Sequence, residues 1–229
     1  MVETMDSKRD IQISKALSYL LRHGAEKEKL VIDNNGYIAV DTILQHNRLK
    51  THKCTRQDLI RVVDNNEKKR FIIDEKNDMI AATQGHSIQL KPDDKILMPI
   101  TNVDSLPAKL VHGTNVKNCL AIVESGNLSK MKRNHIHLSI GIVGKDTNVV
   151  SGMRKNSTIY IYLKKDPETL SQLKLFKSLN DVYLCENDID LKCFEKIEIK
   201  NNKKQLSEND DITKLIQLLK NKNIPYEII

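Results

Sequence analysis

Three of the five prolines, Pro92, Pro99 and Pro107, fall between Lys91 and Ala108, where no helical period and no long strand pattern survives. A chain of 229 residues interrupted there divides into two parts, each able to bury a core of its own. The parts differ in character: five of the eight glycines lie between Gly113 and Gly152, and most strand-like runs follow the break. The expectation is an α+β protein with a lobe over 1–94, a linker over 95–107, a second lobe over 108–200 and a tail over 201–229 packed back on the body.

In the first part, Ile13, Ala16, Leu17, Leu20 and Leu21 recur at helical spacing, and Gly24 offers a left-handed end to a helix over Ile11–His23. Val31-Ile32 and Tyr37–Val40 flank Asp33–Gly36, whose Asn-Gly pair signals a turn between strands. Asp41 caps a short helix through Leu44, a basic, histidine-bearing connector runs from His46 to Lys53, and Thr55 with Asp58 opens a helix to Val63. Arg70–Ile73 and Met79–Ala82 read as a β-hairpin. Helices followed by a two-stranded wing make a winged-helix lobe, a shape that often docks on nucleic acid.

In the second part, Leu110–Thr114 reads as a strand and Asn118–Ser125 as a helix stopped by Gly126. Thr158–Leu163, Val182–Cys185 and Phe194–Ile199 are further strands. Asp166-Pro167 opens a helix expected to reach Leu179, with the acid at the cap and proline at the first helical position. Ile212, Leu215, Ile216 and Leu219 give the tail an amphipathic helix over Asp210–Asn221.

The densest chemistry lies between Asn127 and Lys155. Ile136 and Leu138 would face one side of a strand, with His135, His137 and Ser139 on the other. Lys130, Lys132, Arg133, Lys145, Arg154 and Lys155 are opposed there by Asp146 alone, so the local potential favours a phosphate-bearing partner. The whole chain agrees, with 37 basic against 30 acidic side chains and a formal charge of +7. Three Phe, six Tyr and no Trp argue against a surface built on base stacking.

Several classes are disfavoured. Cys54, Cys119, Cys185 and Cys193 form no C-x-x-C pair, so neither a zinc ribbon nor a compact disulfide scaffold is expected, and the thiols should be reduced and mostly buried. The first ten residues are polar and carry acids, unlike a signal or transit peptide, and no apolar run approaches membrane length. The expected setting is the cytoplasm or nucleus, with no membrane and no metal. No G-x-G-x-x-G and no Walker loop is present, so a bound dinucleotide would lie outside a Rossmann fold. Arg22, Arg70, Arg133, Arg154 and His112 could clamp a phosphate and exchange a proton with a reacting oxygen. Their spread along the chain implies a cleft between the lobes.

Seven short segments, in order, resemble the tRNA 2'-phosphotransferase family: Ser14–Gly24, Asn35–Tyr37, Lys69–Phe71, Gln84–Ser87, His112–Thr114, Arg133–Leu138 and Ser151–Arg154. The resemblance reaches from about Ser14 to Ile199, with a tail similar to the fungal members. It departs at Asn115 and is weaker from Lys174 to Glu195.

The resemblance implies an N-terminal winged-helix RNA lobe and a C-terminal NAD-binding lobe of the ADP-ribosyltransferase type. The implied substrates are 2'-phosphorylated tRNA and NAD, the latter as co-substrate, acted on by a monomer. The splice-junction 2'-phosphate would attack the nicotinamide-ribose carbon and expel nicotinamide, giving an RNA-2'-phospho-ADP-ribose intermediate. The ribose 2''-hydroxyl would then attack that phosphate, releasing RNA and ADP-ribose 1'',2''-cyclic phosphate. By motif the catalytic set falls on Arg22, Arg70, His112 and Arg133, with His23 supporting Arg22. Gly113, Thr114, Ser139, Gly141, Ser151, Gly152 and Arg154 would line the NAD pocket. The alternatives are an ADP-ribosyltransferase acting on nucleic-acid ends or protein, and a non-catalytic RNA-binding protein.

Overall fold

In the computed structural model the chain divides into two units: residues up to Leu97 together with Lys132–Asn134, and Met98–Met131 together with His135 onward. The structure describes residues 7–147, 149, 151–200 and 210–229. The polar start over 1–6 and the part of the expected tail over 201–209 lie outside the described residues.

The first unit begins with α1 (Ser7–Tyr19), whose Ile13 and Leu17 are fully buried. The helix continues as a wider π-helical turn over Leu20–Gly24, which buries Leu20 and Leu21 side by side. Gly24 therefore does not end the helix in a left-handed conformation, and the next residue, Ala25, remains helical. What the glycine provides is room, since a Cβ there would lie 2.5 Å from the Tyr19 ring.

Next come β1 (Tyr37–Ala39), α2 (Val40–Leu44), α3 (Asn47–Lys50), α4 (Arg56–Asp64), β2 (Phe71–Asp74) and β3 (Met79–Ala82). The strands form an antiparallel sheet in the order β1-β3-β2, with Ile38 opposite Ile80 and Ile73 opposite Ile80 on its other edge. The expected strand at Val31-Ile32 is absent: Val31 is 85% exposed, and the Asp33 carboxylate takes the turn's N–H groups from Asn35 and Tyr37 at 2.9 and 2.7 Å. Ala39, not Asp41, occupies the N-cap of α2, and the connector after His46 is itself helical over α3.

The capping box of α4 forms as the sequence indicates, Thr55 and Asp58 exchanging hydrogen bonds. Asp58 also receives two hydrogen bonds from Arg9 at 2.7 and 2.6 Å, while Arg61 reaches fully buried Asp10 at 2.8 Å. Arg9 first, with Thr55 and Arg61, holds the Asp58 carboxyl well below the usual range, so these pairs lock α1 against α4.

The second unit contains β4 (Leu97–Ile100), β5 (Val111–Thr114), α5 (Val116–Ser125), β6 (Asn127–Leu128), β7 (Ile136–Leu138), β8 (Ile159–Leu163), α6 (Pro167–Gln172), β9 (Leu175–Ser178), β10 (Tyr183–Cys185), β11 (Ile189–Asp190), β12 (Phe194–Ile199), α7 (Asp210–Asn221) and β13 (Tyr226–Ile228). One four-stranded sheet runs β13-β12-β8-β5, another runs β4-β9-β10-β7, and β11 pairs with β6. Val111 and Ser139 exchange both backbone hydrogen bonds, at 2.9 and 2.8 Å, joining the two larger sheets at β5 and the end of β7. The core includes Leu138, Ile159, Ile161, Cys185 and Ile197, with Val123 of α5 and Leu215 and Leu219 of α7.

The proline-bearing stretch holds the short β4 and a 3-10 turn at Val103–Ser105. One expectation fails here. The helix opened by Asp166 and Pro167 stops at Gln172 instead of Leu179, because Asn187 takes its end: Nδ2 donates to the Gln172 carbonyl at 2.9 Å and Oδ1 accepts from Lys174 N–H at 2.8 Å. Leu175 is thereby free to pair with Cys185 in β9 and β10. The four cysteines are free, and burial pushes the Cys119 and Cys185 thiols up to about 12. Among the described residues no helix is long and apolar enough to cross a membrane.

Candidate active site

Arg22 sits in the π-helical turn that extends α1, a feature often found at functional sites. Its carbonyl accepts from Ser87 N–H at 2.9 Å, fastening the Gln84–Ser87 loop to the turn. Gly85 of that loop has φ +90° and lies against the guanidinium, where a Cβ would stand 3.5 Å from Nη1. Nε and Nη2 of Arg22 are buried and, among the described residues, have no hydrogen-bond partner. A buried donor left unmet costs about 1–3 kcal/mol, more when charged, so the guanidinium is poised to take the oxygens of an anion.

Two further arginines act on it. Burial first, then the charges of Arg70 and Arg133, push Arg22 down to about 10, which leaves it cationic at neutral pH. Arg70 is half-buried just ahead of β2; burial lowers it too, partly offset by Glu67. Asn66 fixes it, with one side-chain oxygen accepting from Arg70 N–H at 3.3 Å and from Nη1 at 3.2 Å. Arg133 is exposed, and its neighbour Asn134 is pinned to the first unit by hydrogen bonds to the carbonyls of His86 (3.2 Å) and Ile88 (2.7 Å). His23 joins the patch: Nδ1 lies 2.9 Å from Ser87 Oγ, and partial burial with Arg22 and Arg133 holds its pKa below 6.5. Three guanidinium groups and a neutral imidazole thus share one region of the first unit. Such a set can grip a phosphate and stabilise charge built on it.

His112 belongs to the second unit, on β5. Its Nδ1 lies 3.0 Å from the His137 carbonyl, which can only accept, so Nδ1 carries the hydrogen and Nε2 is the basic nitrogen. The geometry suits a group that takes a proton from a hydroxyl.

Around it the structure gathers most of the expected pocket residues. Thr158 N–H donates to the Thr114 carbonyl at 2.9 Å, and the Ser139 hydroxyl donates to the Ser151 carbonyl at 3.0 Å. A Cβ on Gly113 would come within 2.8 Å of Met153 Cβ, and one on Gly152, at φ +97°, within 2.8 Å of Ser139 Cα. The glycines therefore let the 151–157 segment settle onto β5 and the end of β7. Ser139 is buried, and its hydroxyl positions the Ser151-Gly152 turn. Gly141 lies against Asp146, whose carboxylate accepts from Ile142 N–H at 2.7 Å and from Lys109 at 2.8 Å. Arg154 is exposed on the segment after Gly152.

Residue spacing does not reveal the partners that hold the site: Asn66 for Arg70, Ser87 for Arg22 and His23, and the His137 carbonyl for His112. The Gln84–Ser87 segment carried the nearest signal, a glycine next to polar side chains, which by itself reads as an ordinary turn.

A cluster of guanidinium groups of this kind fits a phosphate-bearing ligand. The chain belongs to the RNA 2'-phosphotransferase, Tpt1 / KptA family, a family of transferases whose model matches residues 8–187. It is 48% identical to the tRNA 2'-phosphotransferase of Saccharomyces cerevisiae over 229 aligned residues, covering 97% of this chain and 96% of that one. It is 37% identical to tRNA 2'-phosphotransferase 1 of Bos taurus, covering 81% of this chain and 72% of that one. For tRNA 2'-phosphotransferase 1 of Homo sapiens the identity is 38%, with 80% and 71% covered.

Proposed function

We propose that this chain removes the splice-junction 2'-phosphate from ligated tRNA and transfers it to NAD, with nicotinamide and ADP-ribose 1'',2''-cyclic phosphate as the other products. The observation that carries the reading is Arg22, a buried cation with two unmet donors beside Arg70 and Arg133. A phosphate monoester answers all three, supplying charge and acceptors together. Family membership and the names of the relatives support the removal of a 2'-phosphate from tRNA.

In this reading Arg22, Arg70 and Arg133 bind the 2'-phosphate and the charge that develops on it, and His23 with Ser87 keeps Arg22 in place. NAD supplies an electrophilic ribose carbon with nicotinamide as leaving group, so no protein nucleophile is needed. The first unit would be the winged-helix RNA lobe and the second the ADP-ribosyltransferase-like NAD lobe, with Gly113, Thr114, Gly141, Ser151, Gly152 and Arg154 holding the co-substrate. His112 would take the proton of the ribose 2''-hydroxyl at Nε2 as that oxygen bonds to phosphorus and the RNA 2'-oxygen leaves. The proposal requires His112 to reach the phosphate held by the arginines. Incubation with 2'-phosphorylated RNA tests it: phosphate should be lost only when NAD is added, and loss without NAD, or none with it, overturns the reading.

A further inference from the structure

The first unit carries a second cationic feature, none of whose residues belongs to the arginine patch. Gln12, Lys15 and Tyr19 stand on one face of α1 at helical spacing, and with Arg48, Thr51 and His52 they line an open depression of about 240 Å³. Among the described residues its walls carry no carboxylate. The basic connector that the family resemblance leaves unexplained therefore has a place in the fold.

Arg48 is held in position from two directions. Its guanidinium lies over the Tyr19 ring, 4.2 Å from the centroid, and its Nε donates to Glu28 at 3.2 Å. Glu28 is committed on its other oxygen, which lies 3.2 Å from His46 Nε2. Among the described residues the terminal nitrogens of Arg48 and the Nζ of Lys15 make no hydrogen bond or ion pair. The connector is tied to α1 as well, because Arg9 donates to the carbonyls of His52 and Lys53 at 3.0 and 2.9 Å. Lys50 and Lys53 add exposed positive charge alongside.

An arginine braced on an aromatic ring has less side-chain freedom to lose when it binds. It presents a planar fork to a phosphodiester, and its outer face can take an unstacked base. The depression is too small for a large ligand but suits a phosphate and its ribose.

We propose that this depression binds a backbone phosphate of the RNA substrate at a nucleotide away from the reacting 2'-phosphate. The inference rests on the reading that the substrate is RNA. It makes the depression a docking site for the body of a long RNA, one that a short oligonucleotide does not reach.

The test compares wild type with Lys15→Gln and Arg48→Gln on two substrates, a full-length ligated tRNA with a 2'-phosphate and a 2'-phosphorylated oligonucleotide of a few nucleotides. For the tRNA, KM should rise about tenfold with kcat unchanged, and the dependence of log KM on log salt should flatten by about one per charge removed. The oligonucleotide should be processed as before. An equal change on both substrates, or no change on either, overturns the proposal. Lys15 is exposed and, among the described residues, makes no hydrogen bond or ion pair, so its variant guards against a folding artefact. If wild type turns over neither substrate, the proposed reaction fails by itself. Docking is then read from fluorescence anisotropy of tRNA lacking the 2'-phosphate, where weaker binding by the variants upholds it and equal binding overturns it.

Discussion

One oxygen of the Asn66 side chain accepts from both the backbone N–H and the guanidinium of Arg70, at 3.3 and 3.2 Å. Asn66 thus sets where the Arg70 side chain leaves the chain and where it ends. Asn66→Ala should lower kcat/KM roughly tenfold, as expected for a displaced but retained clamp, with little loss of fold. Asn66→Asp keeps the acceptor and should restore most of the activity. Steady-state kinetics of both variants, beside thermal melts, decide the matter.

Arg22 is held at a cost to the folded state. Arg22→Met keeps the bulk and removes the unmet donors and the repulsion from Arg70 and Arg133. The variant should be inactive yet more stable, by about 1–3 kcal/mol, a rise of several degrees in melting temperature. Calorimetry in phosphate-free buffer measures it, and a drop in Tm would contradict the account.

His112→Ala should spare the expulsion of nicotinamide and slow the release of RNA by roughly 10²- to 10⁴-fold, the usual loss for a general base. RNA carrying an ADP-ribosyl group should therefore accumulate, resolved on a denaturing gel. Wild-type product ratios would remove His112 from the second step.

The folded His23 pKa lies below its ordinary 6.5, so at acid pH the unfolded chain takes up a proton that the folded one resists. Stability should accordingly fall as pH drops below about 6.5, and His135, lowered chiefly by burial, adds to the same slope. His23→Gln should flatten the slope. Urea titrations at a series of pH values measure it.

Gly144 and Gly152 both require positive φ, at +87° and +97°. Among the described residues nothing lies within 4 Å of a Cβ on Gly144, whereas one on Gly152 meets the Ser139 backbone at 2.8 Å. Gly144→Ala should cost only backbone strain, about 1 kcal/mol, and Gly152→Ala about 2 kcal/mol or more, with a raised KM for NAD. Equal costs would show that the 151–157 segment yields freely.

The signals readable in the sequence were those in which neighbours decide. Thr55 and Asp58 close their capping box, Asp166 caps with Pro167 behind it, and Gly126 ends α5 at φ +87°. Where distant residues intervene, local reading fails. Asn187 ends α6 early, Asp33 replaces a strand partner, and the Tyr19 ring rather than a left-handed turn explains Gly24. The same holds for the site. Arg22, Arg70 and Arg133 are far apart in sequence, and only tertiary packing makes their charges act on one another.

The broad turn at Leu20–Gly24 closes the first helix, so Arg22 owes its direction to the number of residues ahead of it. Removing one residue from α1 would turn the side chains that follow by about 100° about the helix axis. The guanidinium would then point elsewhere, and Ser87 would face the wrong carbonyl. A single-codon deletion there should silence the protein while sparing its hydrophobic interior, so the length of this helix, as much as its chemistry, is under constraint.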